Sequence, residues 1–263
     1  MKLSALILTK NEQDIIEECL KQLDFVDEII VLDQNSTDDT VKIAQKYTPN
    51  IFSQNLPFDK ARNFLADCAK GKWLLYVDAD ERLTKELKSE INHSIKDPKF
   101  SLECAAFYFP RQNMILGKFL KHGGWWPDYV PRLFKKEKLK KWQGAVHESP
   151  LVEGPIGYLK SPLIHLTARS ISQMFEKSTK WAKIEADMNF EGGASKVTIP
   201  KVQKALISEF VSRYIIKLGL LDGFVGLVES MYQAYHKAMV LTYLWEMQND
   251  AEGKFKKATT KSL

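Results

Sequence analysis

The first eighty residues alternate between short apolar runs and segments in which apolar residues recur at helical spacing. The apolar runs are almost continuous, which is typical of strands that are buried on both faces of a sheet. Polar clusters such as NSTDDT separate them and supply residues that begin helices. The predicted strands cover 3–9, 28–34, 51–54 and 72–81, and the predicted helices cover 14–23, 40–47 and 60–69.

This order predicts an α/β fold with a mostly parallel sheet and right-handed crossovers, flanked by helices. Ligands of such sheets bind beyond the carboxyl ends of the strands. Several polar residues stand at those ends and are expected to converge along one edge of the sheet. They are Thr9, Asn11, Glu12, Asp33, Asp78, Asp80 and Glu81.

The pattern changes after a predicted helix over 84–95. Strands are expected at 104–113, 129–136 and 157–166, and the chain reads as helical from about residue 170 with a linker over 191–200. We therefore predict two domains. Residues 1–168 form the catalytic domain, and residues 169–263 form a helical C-terminal extension that serves oligomerisation or a membrane interface.

Composition narrows the class of protein. The net charge of +5 is mild, but the first hundred residues are acidic and the remainder is basic. A basic part suits a membrane surface, a phosphorylated lipid or nucleic acid, although a solvated basic face explains it equally well. Three widely spaced cysteines indicate a reducing compartment. Neither a signal peptide nor a spanning helix is expected, so we predict a cytoplasmic protein, either free or peripheral on a membrane.

The pair Asp78 and Asp80 is the strongest candidate for chemistry. Two carboxylates directly after the buried strand WLLYV are costly unless something uses them. A divalent cation that bridges to a diphosphate is such a use. The alternative is that one of the two aspartates caps the helix that begins near Thr84.

Other candidates flank this pair. Glu12 and Asp33 follow separate strands, where a carboxylate can bind ribose hydroxyls or simply close a turn. Lys60 and Arg62 in FDKARN suit phosphate, or else lie on an exposed helical face.

Taken together, LILTKNE, EIIVLDQNSTDDT, FDKARNFLADCAKGKWLLYVDADE and the later RLF and VHE resemble glycosyltransferase family 2 over residues 3–150. The segments HGGWWPDYVPRLF, VHE and LGLLDGFVG are similar to the bacterial branch of lipopolysaccharide core assembly. The resemblance implies a GT-A fold, which is Rossmann-like. It also implies inverting transfer of a hexose from a nucleotide sugar to a lipopolysaccharide-core or other lipid-linked acceptor, with UDP-glucose as the guessed donor.

The resemblance also implies roles for individual residues. Thr9, Asn11, Glu12 and Asp33 would contact the nucleoside, and Lys60 and Arg62 would lie near the ribose or diphosphate. Asp78 and Asp80 would serve the donor and a Mg²⁺ or Mn²⁺ cofactor, with Asp80 the more direct ligand.

An inverting transfer needs a general base. The usual Glu-Asp pair of the family is replaced here by His147-Glu148, so Glu148 is the first candidate and Asp128 the second. His147 is a candidate metal ligand, a candidate phosphate contact or a core residue. Acceptor-binding candidates are Trp125 and Trp126, as a platform for a sugar or as buried packing, and Arg111 and Arg132, for acceptor phosphate or as partners of Asp128 and Glu148.

Two alternatives remain at this stage. A nucleotidyltransferase would share the sheet, metal and carboxylates, but it usually carries a glycine-rich loop that LILTKNEQD lacks. A non-catalytic module on a membrane would explain the basic helices but not the aspartate pair. The C-terminal apolar stripe suits either a membrane interface or packing against the catalytic domain or a second subunit. Nucleic acid is not an expected partner.

Overall fold

The computed structural model describes residues 2–144 and 148–251. The chain divides into two compact units. The first, called the sheet unit, comprises Met1–Asn113 and Pro127–Thr167, and the second, called the helical unit, comprises Met114–Trp126 and Ala168–Leu263.

The sheet unit begins with the predicted alternation of strands and helices. Four parallel strands run in the order β3-β2-β1-β4, and the sheet continues in the order β8-β6-β12-β5. The β4–β8, β8–β6 and β12–β5 pairs are antiparallel, and β11 lies parallel beside β6. A separate hairpin joins β9 to β10. The strands are β1 Leu3–Thr9, β2 Glu28–Asp33, β3 Ile51–Ser53, β4 Trp73–Asp78, β5 Glu81–Leu83, β6 Ala106–Ile115, β7 Lys118–Phe119, β8 Asp128–Lys135, β9 Leu139–Gln143, β10 Ser149–Val152, β11 Ile156–Tyr158 and β12 Leu163–Ala168. The helices before β6 are α1 Ile16–Lys21, α2 Thr40–Ala44, α3 Phe58–Cys68, α4 Lys85–Lys96 and α5 Pro98–Glu103.

Alternate residues of the central strands feed two separate cores. Leu75 and Val77 of β4 belong to the core that α1 and α4 cover, whereas Leu74 and Tyr76 belong to the core that α3 covers. Successive side chains of a strand point to opposite faces. The sheet is therefore covered on both faces, which explains why its central strands read as continuous apolar runs.

The strand register brings the predicted strand ends together. Thr9 lies opposite Asp33 in the β1–β2 pair, and Leu8 lies opposite Asp78 in the β1–β4 pair. The polar residues that follow these strands therefore share the carboxyl edge, as the sequence predicted.

The prediction of an α/β fold with a mostly parallel first half and a helical C-terminal part is confirmed. The predicted strand over 157–166 is wrong in one respect, because it is two strands, β11 and β12, separated by the segment 159–162. Pro162 lies in that segment and lacks the N–H that a ladder needs. Short strands β5, β7, β9 and β10 were not predicted.

Three long helices dominate the helical unit. Helix α8, Gly223–Ala251, packs against α6, Ile171–Glu191, and α7, Ile199–Phe210. A π-helix, Val211–Ile216, and a 3₁₀-helix, Gly219–Asp222, connect α7 to α8. The predicted linker over 191–200 largely coincides with the break between α6 and α7. Within the described residues, no helix combines the length and apolar character needed to cross a bilayer.

A buried carboxyl group lies inside the helical unit. Glu229 of α8 is 3% exposed, and among the described residues its Oε2 has no hydrogen-bond partner, while Oε1 accepts from Gln233 Nε2 at 2.7 Å. Burial raises the pKa of Glu229 to about 7, because desolvation outweighs the hydrogen bond from Gln233 and the charge of Arg213.

We expect the Glu229→Gln variant to be more stable than the natural chain at pH 8 and equally stable near pH 4. A raised carboxyl pKa means that the folded state holds a proton that the unfolded state releases above about pH 4.5. Stability is therefore lost as pH rises from about 4.5 to about 7, by about 3 kcal/mol at most. Urea midpoints at both pH values measure this. Glu191→Gln, at an exposed position, is the control, and a pH-independent difference between Glu229→Gln and the natural chain would contradict the expectation.

Candidate active site

Asp78 lies at the carboxyl end of β4 between two guanidinium groups. Its Oδ1 is 3.3 Å from Arg62 Nη2, and its Oδ2 is 2.6 Å from Arg132 Nη2. Burial disfavours the carboxylate, but Arg132 and Arg62 outweigh this effect and hold the pKa of Asp78 well below its ordinary value. Asp78 is therefore ionised and fixed in orientation by both of its oxygens.

Arg62 is a buried member of this cluster and does not lie on an exposed helical face. It projects from α3 and is 6% exposed, with its guanidinium 4.8 Å from the Trp142 ring and 5.6 Å from the Tyr76 ring. Its Nε donates to Glu148 Oε1 at 3.1 Å. Arg62 thus joins Asp78 to Glu148, which stand 70 residues apart in the sequence.

Arg132 of β8 makes the most buried ion pair of the sheet unit. Its guanidinium reaches Glu81 Oε1 at 2.7 Å, and Glu81 is fully buried. The other Glu81 oxygen accepts from the backbone N–H of Asp78 at 3.0 Å. The alternative that Arg132 pairs with Asp128 or Glu148 is wrong, because both of its partners, Asp78 and Glu81, come from the end of β4 and the start of β5.

Asp80 faces a histidine that sequence reasoning did not single out. Strand β12 pairs antiparallel with β5, with His165 opposite Glu81, and Leu166 N donates to Asp80 O at 2.8 Å. This pairing brings His165 Nε2 to 3.3 Å from Asp80 Oδ2. The signal in the sequence was a single imidazole within the apolar run of β12.

The neighbours of His165 fix which of its ring nitrogens carries a proton. Asn113 Nδ2 donates to Asp128 Oδ2 at 3.2 Å, so the amide oxygen of Asn113 faces His165 Nδ1 at 2.7 Å. An amide oxygen can only accept, so Nδ1 must donate. The Nε2 atom lies on the Asp80 side of the ring, and a proton or a cation between Nε2 and the Asp80 carboxylate stabilises the pair.

Asp128 closes the same network. It begins β8, accepts from Arg111 Nε at 2.8 Å and lies 2.6 Å from Arg111 Nη2. Arg111 therefore pairs with Asp128, one of the two possibilities that the sequence left open. A continuous polar chain runs from Asp80 through His165 and Asn113 to Asp128.

The loop that follows β1 is hydrogen-bonded to the loop that follows β2. Asn11 has a left-handed backbone, with φ of 53°, and its side-chain oxygen accepts from Thr37 N at 2.8 Å. Asp33 accepts from Ser36 N at 2.9 Å, and Glu12 N donates to Thr40 Oγ1 at 2.8 Å. Asn11 and Asp33 therefore stabilise the conformations of these two loops through their side chains.

The remaining candidates lie in different settings. Thr9 is buried, and its hydroxyl has no partner among the described residues, whereas Lys60 is exposed on α3. Trp125 and Trp126 belong to the helical unit, where Trp125 packs in a small apolar core and Trp126 is 38% exposed. His147 lies outside the described residues. The functional roles of all these residues remain predictions.

Asp80 and His165 suit a divalent cation such as Mg²⁺ or Mn²⁺. Among the described residues, no group of three or more histidine, cysteine, aspartate or glutamate side chains is arranged to hold a metal ion by itself. Mg²⁺ is commonly held by one or two carboxylates together with phosphate oxygens of the substrate. Both Asp78 oxygens are engaged by arginines, so Asp80 and His165 fit the cation better than Asp78 does.

The carboxyl edge of the sheet thus carries acidic groups and a histidine at the place where parallel α/β sheets bind their ligands. The sequence profile of glycosyl transferase family 2 matches residues 4–150, and the chain belongs to this family. It is a glycosyltransferase with the GT-A fold, as the sequence predicted. The nucleotidyltransferase and the non-catalytic module are set aside.

Three relatives place the chain within the family. A Rickettsia felis protein described as an uncharacterized glycosyltransferase is 28% identical over 93% of this chain and 90% of its own length. The lipopolysaccharide core biosynthesis glycosyltransferase LpsC of Rhizobium meliloti is 23% identical, covering 94% of this chain and 93% of its own. The Bacillus subtilis glycosyltransferase SunS is 30% identical over 55% of this chain and 34% of its own.

Solved structures show more distant similarity. S. aureus TarS 1–349 in complex with UDP-GlcNAc is 15% identical with a TM-score of 0.48, covering 96% of this chain and 92% of that one. Glucosyl-3-phosphoglycerate synthase from Mycobacterium tuberculosis, in complex with Mn²⁺ and UDP-glucose, is 17% identical with a TM-score of 0.47, covering 74% and 80%.

Proposed function

We propose that this enzyme is an inverting, divalent-metal-dependent hexosyltransferase that acts on a lipopolysaccharide-core or other lipid-linked saccharide. The observation that carries this proposal is the Asp80–His165 pair at the carboxyl edge of the sheet, with a 3.3 Å separation and a tautomer fixed by Asn113. The LpsC relative, similar along nearly its whole length, supports the acceptor class. UDP-glucose is the first donor to test.

The cation would be held by Asp80 and His165, and it would neutralise the leaving nucleoside diphosphate. The protein's own part is to fix these ligands. The tautomer of His165 is held by Asn113, and the backbone N–H of Asp78 is held by Glu81. Such outer partners orient metal ligands and tune their affinity.

The guanidinium cluster has a positioning role in this proposal. Arg62 and Arg132 hold Asp78 with both oxygens engaged, so Asp78 presents a fixed carboxylate beside the cation site. Arg62 has little exposed surface and two carboxylate partners, and it therefore acts on the donor through Asp78 and Glu148. Lys60, exposed two residues earlier on α3, remains the candidate for direct phosphate contact.

Inverting transfer is a single displacement at the anomeric carbon. An acceptor hydroxyl oxygen forms the new bond to that carbon, the bond to the diphosphate oxygen breaks, and the hydroxyl proton passes to a carboxylate base. Glu148 is the preferred base. Its Oε1 accepts a hydrogen bond from Arg62 Nε at 3.1 Å, and this contact fixes the orientation of the carboxylate. Asp128 is bonded to both Arg111 and Asn113 through one oxygen and also anchors the His165 network, which suits a positioning residue.

We expect Glu148→Gln to lower kcat for sugar transfer by about 10²-fold without changing the Kd of the donor. The amide retains an acceptor for Arg62 but cannot take a proton. Asp128→Asn should lower kcat less, by about tenfold. Nucleoside diphosphate release with core-truncated lipopolysaccharide measures both variants, and Glu153→Gln, on the exposed β10 hairpin, is the control. A larger loss in Asp128→Asn than in Glu148→Gln would transfer the base assignment to Asp128.

A thermal-shift screen against UDP, GDP, CMP and dTDP, with and without Mn²⁺, tests the donor proposal directly. A ligand that binds the native state raises Tm through linkage. We expect one nucleoside diphosphate to raise Tm only with the metal present. Equal shifts with and without Mn²⁺ would contradict metal dependence, and absence of any shift would contradict the donor site.

A further inference from the structure

The connection between α7 and α8 exposes an unusual amount of apolar surface. Six large apolar side chains within the ten residues 215–224 are at least 40% exposed, a group named here the apolar tip. They are Ile215 at 50%, Ile216 at 72%, Leu218 at 48%, Leu220 at 40%, Leu221 at 57% and Phe224 at 78%. Isolated exposed apolar residues are ordinary, but a concentration of this kind marks an interaction surface.

Hydrogen bonds and close packing within the helical unit fix the backbone of the segment that carries the apolar tip. Lys118 Nζ donates to Asp222 O, and the Asp222 carboxylate accepts from the backbone N–H of His122 at 2.8 Å. Gly219 packs so closely against α8 that a Cβ at Gly226 would lie 2.0 Å from Gly219 O. The backbone of the segment is therefore fixed, and the six apolar side chains stay exposed to solvent.

Basic groups surround the apolar tip. Lys217 stands between Ile216 and Leu218 of the apolar tip. Its backbone oxygen accepts from Gly123 N at 2.8 Å, and this bond connects the 123–126 loop to the segment that carries the tip. Lys118 and Lys121 are exposed and bonded to Asp222 through Nζ and the backbone N–H, respectively. Asp222, the one acidic residue of the segment, is buried and paired with His122 at 3.1 Å. The accessible charge around the tip is therefore positive.

We propose that the apolar tip docks this protein on an anionic lipid bilayer, with the six side chains in the headgroup and acyl boundary and the lysines against lipid phosphates. Apolar burial combined with basic residues at the headgroup level is the physical basis of interfacial binding. Trp126, exposed on the attached loop, suits the same boundary. A second copy of the chain is a poorer occupant, since pairing two tips would bring like charges together.

Binding to vesicles of phosphatidylcholine with 30% phosphatidylglycerol, compared with phosphatidylcholine alone, tests the proposal on the full chain. We expect binding to the anionic vesicles, weakened by salt, and about a tenfold loss in Phe224→Glu. Leu102→Glu is the matched control, because Leu102 is 76% exposed in the sheet unit. An equal loss in both variants, or no loss in Phe224→Glu, would overturn the proposal.

Two further measurements separate lipid from protein as the occupant. Lys121→Glu combined with Lys217→Glu should reduce the preference for anionic vesicles by about fivefold or more for each lysine. In Phe224→Trp, indole emission should shift to shorter wavelength and be quenched by brominated lipid. A shift that instead depends on protein concentration without vesicles, together with dimers in sedimentation, would assign the apolar tip to self-association and overturn the proposal. Neither result depends on the sugar-transfer activity.

Discussion

Asp80→Asn will lower turnover of the nucleotide sugar by about 10³-fold or more, and added Mn²⁺ will not restore it. The reason is that Asp80 supplies the carboxylate that faces His165 at 3.3 Å. The amide is close in shape but carries no charge, so it cannot hold a divalent cation against the leaving diphosphate. Steady-state release of nucleoside diphosphate measures the effect.

A metal-binding readout separates loss of the cation from loss of folding. In Asp80→Asn, the Mn²⁺-dependent rise in Tm with UDP should disappear. In His165→Gln, the affinity for Mn²⁺ should fall by about tenfold. Asp67→Asn, at an exposed position on α3, should behave like the natural chain. A fully active Asp80→Asn enzyme would contradict the assignment of the metal site. Loss of activity with metal affinity intact would instead give Asp80 a role other than binding the cation.

Arg132→Met will destabilise the sheet unit by about 3–5 kcal/mol. The substitution leaves Glu81, which has no exposed surface, as an uncompensated buried charge. It also removes the stronger of the two groups that hold Asp78 ionised. Urea denaturation followed by fluorescence measures the loss as a shift of the unfolding midpoint.

The matched control breaks an exposed ion pair. Lys140 and Glu153 lie 2.9 Å apart with side chains 46% and 63% exposed, and Lys140→Met should cost less than about 1 kcal/mol. Adding Glu81→Gln to Arg132→Met should recover part of the lost stability, because the buried charge is then gone. If Arg132→Met and Lys140→Met lose the same stability, the buried Arg132–Glu81 pair does not have the inferred structural role.

Much of the fold followed from local patterns. The continuous apolar runs of β1, β2 and β4, with helices between them, determine a parallel sheet and hence a shared carboxyl edge. Strand β12 was harder to bound, because apolar residues stand on both sides of Lys160, Ser161 and Pro162 and the whole of 157–166 was predicted as one strand. Periodicity records which residues avoid water and does not record where a ladder is interrupted.

The sequence by itself therefore determined the α/β class, the family and the edge that carries Asp78 and Asp80, because these depend on local periodicity and on motifs of neighbouring residues. Only the tertiary structure decided that Arg62 is buried, that Arg132 pairs with Glu81 and that His165 faces Asp80. Those contacts join residues 51 to 86 positions apart. The Arg132 and His165 contacts arise from antiparallel pairing of strands that are not neighbours in sequence, and the Arg62 contact joins helix α3 to Glu148, beyond β9. No local pattern encodes such long-range contacts.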